Sequence, residues 1–182
     1  MPDSEIPPVC AGFEILTLSR GELEVLQPIW RSLYEHHLAL TPYMRERARS
    51  PEEAWRARRD VEQGWLAAEP LSFVLAARAG GEDGEHLGYA FVRVRPGAQF
   101  ATSWRASDPL AELSILAVVP AARGRGIGSA LLDAVEARLG ELGVADMTID
   151  VVAGNEGALR LYERRGAQRF TVQLVQRVGC IF

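Results

Sequence analysis

The chain has 182 residues, 48% apolar and 24% charged, with 20 basic residues against 24 acidic ones and a formal net charge of −4. That length and mix predict one globular domain, 1–182, with a core of its own, rather than a fibrous or disordered chain. Uncharged apolar runs stop near ten residues, as at Leu113–Ala122, short of the roughly 20 that a membrane-spanning helix needs, and the acidic balance lacks the basic patch expected of a nucleic-acid binder.

Every basic residue is Arg, and the absence of Lys removes the GxxxxGK[ST] phosphate loop. The Arg-rich stretches 45–49, 56–59 and 160–169 are interleaved with Glu and apolar residues and read as solvated helix faces. Cys10 and Cys180 are too far apart in sequence for a metal knuckle and too few for a disulfide scaffold. They read as unreactive thiols of a reducing, cytoplasmic compartment, and no metal site is expected. The first ten residues have neither a basic start nor an apolar stretch, so no secretory signal is expected.

Pro2, Pro7 and Pro8 make 1–11 a loose lead-in. Phe13, Ile15 and Leu16 predict a short strand. Leu23, Leu26, Ile29, Trp30, Leu33 and His37 then recur at helical spacing over 21–40, and Thr41-Pro42 stops that helix. Ser50-Pro51-Glu52-Glu53 restarts one, with a capping Ser, Pro in the first turn and acids beside the helix amides. It should run to about Ala68. Leu71–Ala79 and His86–Arg95 read as an antiparallel pair of strands across Gly80, Gly81 and Gly84. Residues 96–109, with Phe100 and Trp104, form a long loop and a candidate lid. Strand 110–119, helix 127–142 closed by Gly143, strand 145–152, helix 155–165 and strand 168–178 complete the order. The class is α/β (α+β): a mixed, mostly antiparallel sheet with flanking helices, and a βαβ unit in the C-terminal half whose two strands are parallel.

The chemistry concentrates in AELSILAVVPAARGRGIGSALL, residues 111–132. A buried strand runs through Ala117, Val118 and Val119 to Pro120, and Arg123-Gly124-Arg125-Gly126-Ile127-Gly128 then opens directly onto Ser129, Ala130 and an amphipathic helix. Glycines let backbone approach a ligand closely. The first helix amides have no intrahelical partner and sit at the positive end of the helix dipole, which together make a pyrophosphate cradle. Arg123 and Arg125 add charge to its rim. The dinucleotide fingerprint GxGxxG fits poorly: counted from Gly124 the sixth position is Ser129, and from Gly126 it is Leu131.

Arg123–Gly128 instead spells [QR]-x-x-G-x-[GA] after a strand ending V-x-P, and so resembles the coenzyme-A loop of the GCN5-related N-acetyltransferase (GNAT) family. The segment from Asn155 to Ala167 is similar to that family's N-x-x-A-x-x-x-Y-x-[KR]-x-G-[FA] stretch, with Asn155, the only Asn of the chain, Tyr162 and Arg164 in the matching places. The resemblance implies an acetyl-CoA-binding core over 110–166 and a parallel strand pair that splays to admit the pantetheine. It implies acetyl transfer to a primary amine by direct attack. Ala117 to Val119, Arg123 to Ala130, Asn155 and Tyr162 would bind acetyl-CoA, backbone amides near Val118 and Val119 would polarise the thioester carbonyl, and Tyr162 would protonate the leaving thiolate. Glu112, an isolated acid on an apolar strand where burial would raise its pKa, is the candidate base, with water as the alternative. His36, His37, Tyr43 and Trp104 are candidates for the amine pocket. A solvent-facing Glu112, a core Tyr162 and surface histidines are the structural readings of the same residues.

The acceptor is expected to be a small-molecule or peptide amine, with neither nucleic acid nor membrane as partner. A catalytically silent acyl-CoA-binding module is the alternative reading. Strand 168–178 nearly exhausts the residues after Gly166, so the family's last strand is either missing or supplied by a partner in a homodimer.

Overall fold

A computed structural model describes residues 12–81, 83–97 and 106–176. Its contacts divide the chain at Asp150/Val151 into two compact units, taken here separately.

In the first unit, β1 (Phe13–Leu18), β2 (Phe73–Ala79), β3 (His86–Arg95), β4 (Leu110–Val118) and β5 (Met147–Ile149) form one sheet in that spatial order. Successive pairs are antiparallel except β4 with β5, which are parallel. Parallel strands need a crossover, and α3 (Ile127–Glu141) supplies it. β5 has three residues rather than the expected eight, and it meets β4 only at 111–113. Beyond Leu113 the outer edge of β4 has no strand neighbour among the described residues. That opening is the predicted splay.

The helices cover both faces of the sheet, which is why β2 and β3 read as nearly continuous apolar runs instead of alternating. On one face α1 (Gln27–Leu40) and α2 (Pro51–Ala68) bring Ile29, Trp30 and Trp55 onto Val74, Ala76, Tyr89, Phe91, Ile115 and Ala117. Trp30 stacks on Tyr34 and tilts against Trp55, with centroids 5.1 and 5.6 Å apart. α3 packs on the sheet through a stripe of Ile127, Leu131, Leu132, Val135 and Leu139.

Residues 21–40 do not form one helix. A 3-10 turn spans Arg20–Leu26, and α1 begins at Gln27. The reason is Pro28: a continuous helix needs its amide to reach the Glu24 carbonyl, and Pro has none. Gln27 donates to that carbonyl instead. Leu23 and Leu26 stay fully buried all the same. The start of α2 is as the sequence predicts, with Ser50 Oγ accepting from the Glu53 amide and the Glu53 carboxylate accepting from the Ser50 amide.

The second unit holds α4 (Glu156–Arg164), capped by Asn155 and closed by Gly166 and Ala167 donating to the Glu163 and Tyr162 carbonyls. The predicted final strand is not formed over its described part: 168–176 joins no ladder, and Phe170, Val172 and Leu174 are exposed. The alternation of apolar residues marks a face that a strand would bury. A strand exists only through a partner's hydrogen bonds, and no signal within the segment supplies one.

Candidate functional site

The glycine-rich loop is built from the end of β4 outward. Val119 donates its amide to Leu87 on β3 at 2.9 Å. Successive strand amides face opposite edges, so that of Val118 faces the open edge of β4. Of the two amides expected to polarise a carbonyl, then, Val119 is already committed to the sheet. Pro120–Ala122 form a 3-10 turn, and Arg123 folds back so that its Nε donates to the Val118 carbonyl at 3.1 Å. Arg123 therefore braces the loop, while Arg125 stays exposed.

Gly124 and Gly126 have φ of 76° and 83°, a left-handed backbone that side-chained residues resist. A Cβ on either would meet no atom within 4 Å, so the space in front of them is open to a ligand. Gly126 is the N-cap of α3, and it offers no side chain to the amides that follow. The first turn of α3 holds no acid either. Ile127, Gly128, Ser129 and Ala130 open that helix, and Ala130 closes its first hydrogen bond, to Gly126, at 2.9 Å. Free amides, the positive end of a dipole and two flanking guanidinium groups suit a pyrophosphate. The cradle fits the phosphates of coenzyme A.

The loop is seated by a residue the sequence reading did not single out. A Cβ on Gly88 would fall 2.7 Å from the Ala117 carbonyl and 3.4 Å from Ile127 Cγ2. Only glycine lets the end of β4 lie that close to β3, and the first side chain of α3 packs against the same spot.

Glu112 is only slightly exposed, as expected of a strand acid, yet it is not isolated. Arg95 reaches its Oε2 at 3.1 Å and Arg93 at 3.5 Å. Arg93 also grips Glu69 with two nitrogens and lies 4.0 Å from the Trp65 ring centroid. These partners arrive across the strand, where Arg93 pairs with Glu112 in register. The pattern of β4 alone holds no sign of them.

Two residues further, the β3–β4 register slips: Phe91 faces Ile115 and Val92 faces Leu113, leaving Ser114 as an inserted bulge residue. Arg58 of α2 donates to Ser114 Oγ and to Glu62 Oε1, both at 2.7 Å. Glu62 is fully buried, and burial pushes its carboxyl above the usual range although Arg58 works against that. Its Oε2 and the hydroxyl of the buried Tyr89 have no hydrogen-bond partner among the described residues. Burial drives the Tyr89 phenol up as well, with the Glu62 charge adding to the shift. The sequence carried one trace of this cluster: Arg58 stands on the otherwise apolar stripe of α2, one turn before Glu62.

Arg58 also lines a cleft of about 450 Å³ between α1, the turn at 42–47 and α2, whose apolar wall is Tyr34, Leu38, Met44 and Val61. His36, His37 and Tyr43 do not line it. α1 presents Tyr34 and Leu38, one turn apart, while His37 takes both the amide and the hydroxyl of Thr41 on its carbonyl and Tyr43 projects into solvent. Burial first, and His36 second, lower the His37 pKa. Trp104 and both cysteines lie outside the described residues.

In the second unit, Asn155 Oδ1 accepts from the Ala158 amide at 3.2 Å, so its side chain serves as helix cap. Tyr162 is buried, and loss of water pushes its hydroxyl up to about 12. It is a phenol that keeps its proton at physiological pH. Among the described residues no group of three His, Cys, Asp or Glu is placed to hold a metal, and no helix is long and apolar enough to cross a membrane.

Comparison with known proteins gives one family. The model of the acetyltransferase (GNAT) family matches residues 30–167. A mycothiol acetyltransferase of Thermobispora bispora is 32% identical over 120 residues, which are 66% of this chain and 37% of that protein. The chain thus spans little more than a third of that relative's length. Among solved structures, a GCN5-related N-acetyltransferase from Ralstonia eutropha aligns with a TM-score of 0.66 and 23% identity over 92% of this chain and 99% of its own. An aminoglycoside N-acetyltransferase, AAC(6')-Iy, in complex with CoA aligns at 0.66 and 21% over 96% and 99%.

Proposed function

The chain belongs to the GNAT acetyltransferase family, and from that premise we propose that it transfers an acetyl group from acetyl-CoA to the primary amine of a small molecule or peptide. The observation that carries the reading is the open start of α3, where two left-handed glycines leave amides and space for a pyrophosphate.

Acetyl-CoA would bring a thioester whose carbonyl an uncharged amine attacks. The chain's own residues bind, polarise and move protons. Gly124 to Ala130 and the guanidinium of Arg125 hold the phosphates, with Arg123 bracing the loop from behind. The Val118 amide, on the open edge of β4, is the donor for the thioester oxygen. Ala117 and Val119 shape the strand end around it. Glu112, held in place by Arg93 and Arg95, takes the amine proton directly or through water. Tyr162, with a pKa of about 12, returns a proton to the departing sulfur. Asn155 meets the cofactor with its amide nitrogen while its oxygen caps α4.

The test has two parts. Acetyl-CoA at millimolar concentration should raise the melting temperature with no acceptor present, since a ligand of the folded state stabilises it by mass action. A panel of amines should then yield at least one that releases free thiol. No thermal shift, or a shift without thiol release from any amine, counts against acetyl transfer.

A further inference from the structure

The cleft between α1 and α2 carries a charge that its apolar wall does not explain. Besides three alanines the rest of the lining is Arg47, Arg49 and Arg58, and it contains no Asp or Glu. The sequence reading gave the Arg-rich stretches 45–49 and 56–59 to solvated helix faces; Arg47 and Arg49 are exposed as that reading expects, and Arg58, partly buried and paired, is not. Among the described residues neither Arg47 nor Arg49 forms an ion pair. Glu53, the carboxylate that feels Arg49, is occupied with the amide and hydroxyl of Ser50.

Arg58 is held differently. Its Nε is fixed by Glu62 and its Nη2 by Ser114, and its guanidinium lies 5.2 Å from the Trp65 ring centroid. The carboxylate that fixes it has given up all contact with solvent. A buried ion pair of this kind is a poor source of stability, because the loss of hydration offsets most of the attraction. It is a good way to aim a guanidinium. Nη1 makes no hydrogen bond among the described residues, and Arg58 reaches the cleft from a position tied to the bulge of β4.

We propose that this cleft takes a carboxylate: that it is the acceptor pocket of the transfer proposed above, and that it selects amines bearing a carboxylate on an apolar body, with the anion seated on Arg58 and drawn in by Arg47 and Arg49. Glu62 and Ser114 are positioning residues for Arg58. The name acceptor pocket rests on the acetyltransferase reading; the preference for an anion rests on the cleft alone. A guanidinium binds a carboxylate through charge-assisted hydrogen bonds that a carboxamide does not reproduce. Free amino acids with apolar side chains and the C-terminus of a short apolar peptide share this chemistry.

Calorimetry on the full chain with saturating CoA separates them, using phenylalanine, phenylalaninamide, and the tripeptide Ala-Ala-Phe with a free or amidated C-terminus. At least one acid should bind about tenfold or more tightly than its amide, and whichever pair shows the difference identifies the source. Arg58→Gln should abolish that difference, and Arg58→Lys should restore only part of it. Glu62→Gln should weaken the acid and leave the amide unchanged. Should the Arg58 variants fail to fold, the rim variant R47Q/R49Q, altered at exposed positions, should still weaken the acid severalfold and leave the amide alone. Equal affinity for acid and amide in both pairs, or no binding of either acid at 10 mM (an order-of-magnitude ceiling for a specific site), overturns the proposal. A protein that discriminates acid from amide yet shows no thermal shift with acetyl-CoA refutes acetyl transfer and leaves the anion site standing. One that shifts with acetyl-CoA without discriminating refutes the anion site alone.

Discussion

Two helices of this chain begin in opposite ways. α2 closes its own start: Ser50 and Glu53 exchange hydrogen bonds, Pro51 brings no amide that needs a partner, and two acids face the dipole. α3 leaves its start open, with a left-handed glycine for a cap, no side-chain acceptor and no acid in the first turn. The first arrangement uses up the orphan amides for stability; the second keeps them for something outside the chain. α1 likewise lacks a side-chain cap, but there the preceding 3-10 turn takes the first amide, which Gln27 donates to the Glu24 carbonyl. What sets α3 apart is a left-handed glycine with open space in front of it.

The largest effect should come from closing the open start. Gly126→Val places a β-branched residue at φ 83° and a side chain where the phosphates would lie. Acetyl-CoA affinity, read by calorimetry, should fall by on the order of 100-fold or more, the scale of a lost phosphate site of several charge-assisted bonds. Normal binding by this variant would move the cradle elsewhere.

α4 tests the contrast from the other side. Its start is closed by Asn155, so what it contributes comes from side chains. Tyr162→Phe should lower kcat about 100-fold, the scale of a lost proton donor, with acetyl-CoA affinity nearly unchanged because the ring still packs. Unaltered turnover would make Tyr162 a core residue. The same phenol ties stability to pH. Folded, it holds its proton up to about 12 against an ordinary value near 10. Its contribution is therefore whole below pH 10 and is lost between pH 10 and 12, a loss that Tyr162→Phe should reduce in alkaline unfolding curves.

Glu112→Gln should slow transfer by on the order of tenfold or more at pH 7, the larger losses belonging to direct contact with the amine. The deficit should shrink as pH rises and the amine arrives already neutral. A constant ratio of variant to wild-type rates from pH 6 to 10 would remove Glu112 from the reaction. The smallest effect belongs to the closed start: Ser50→Ala should cost about 1 kcal/mol in chemical denaturation and leave acetyl-CoA affinity where it was. Loss of acetyl-CoA binding in that variant would blur the distinction between the two helices.

What was legible from sequence was local. The cap at Ser50, the glycine loop, the stripe of α3 and the Asn155–Tyr162 spacing each lie within a few residues, and short-range geometry determines them. Pro28 was equally local, and its break in the first helix was there to be read. The partners of Glu112 were not. Arg93 and Arg95 meet it because two strands happen to pair in that register, and pairing is a property of two segments at once. The same holds for Arg58 and Ser114, 56 positions apart, and for the cleft, whose walls come from both sides of a turn. The segment after Gly166 shows the opposite error: its apolar alternation is visible, and the strand it promises needs a neighbour that alternation does not specify.

Gly88 has a consequence for mutational tolerance. It sits in the interior of a strand, 38 positions before the loop glycine Gly126, and would carry no weight in a survey of ligand contacts. Yet a methyl group there would strike the Ala117 carbonyl of β4, fixed in its ladder, and crowd the Val118 side chain next to it. A screen for loss of function would score Gly88 alongside the loop, and trimming Ile127 or Val118 would not rescue it, because the atom in the way is backbone.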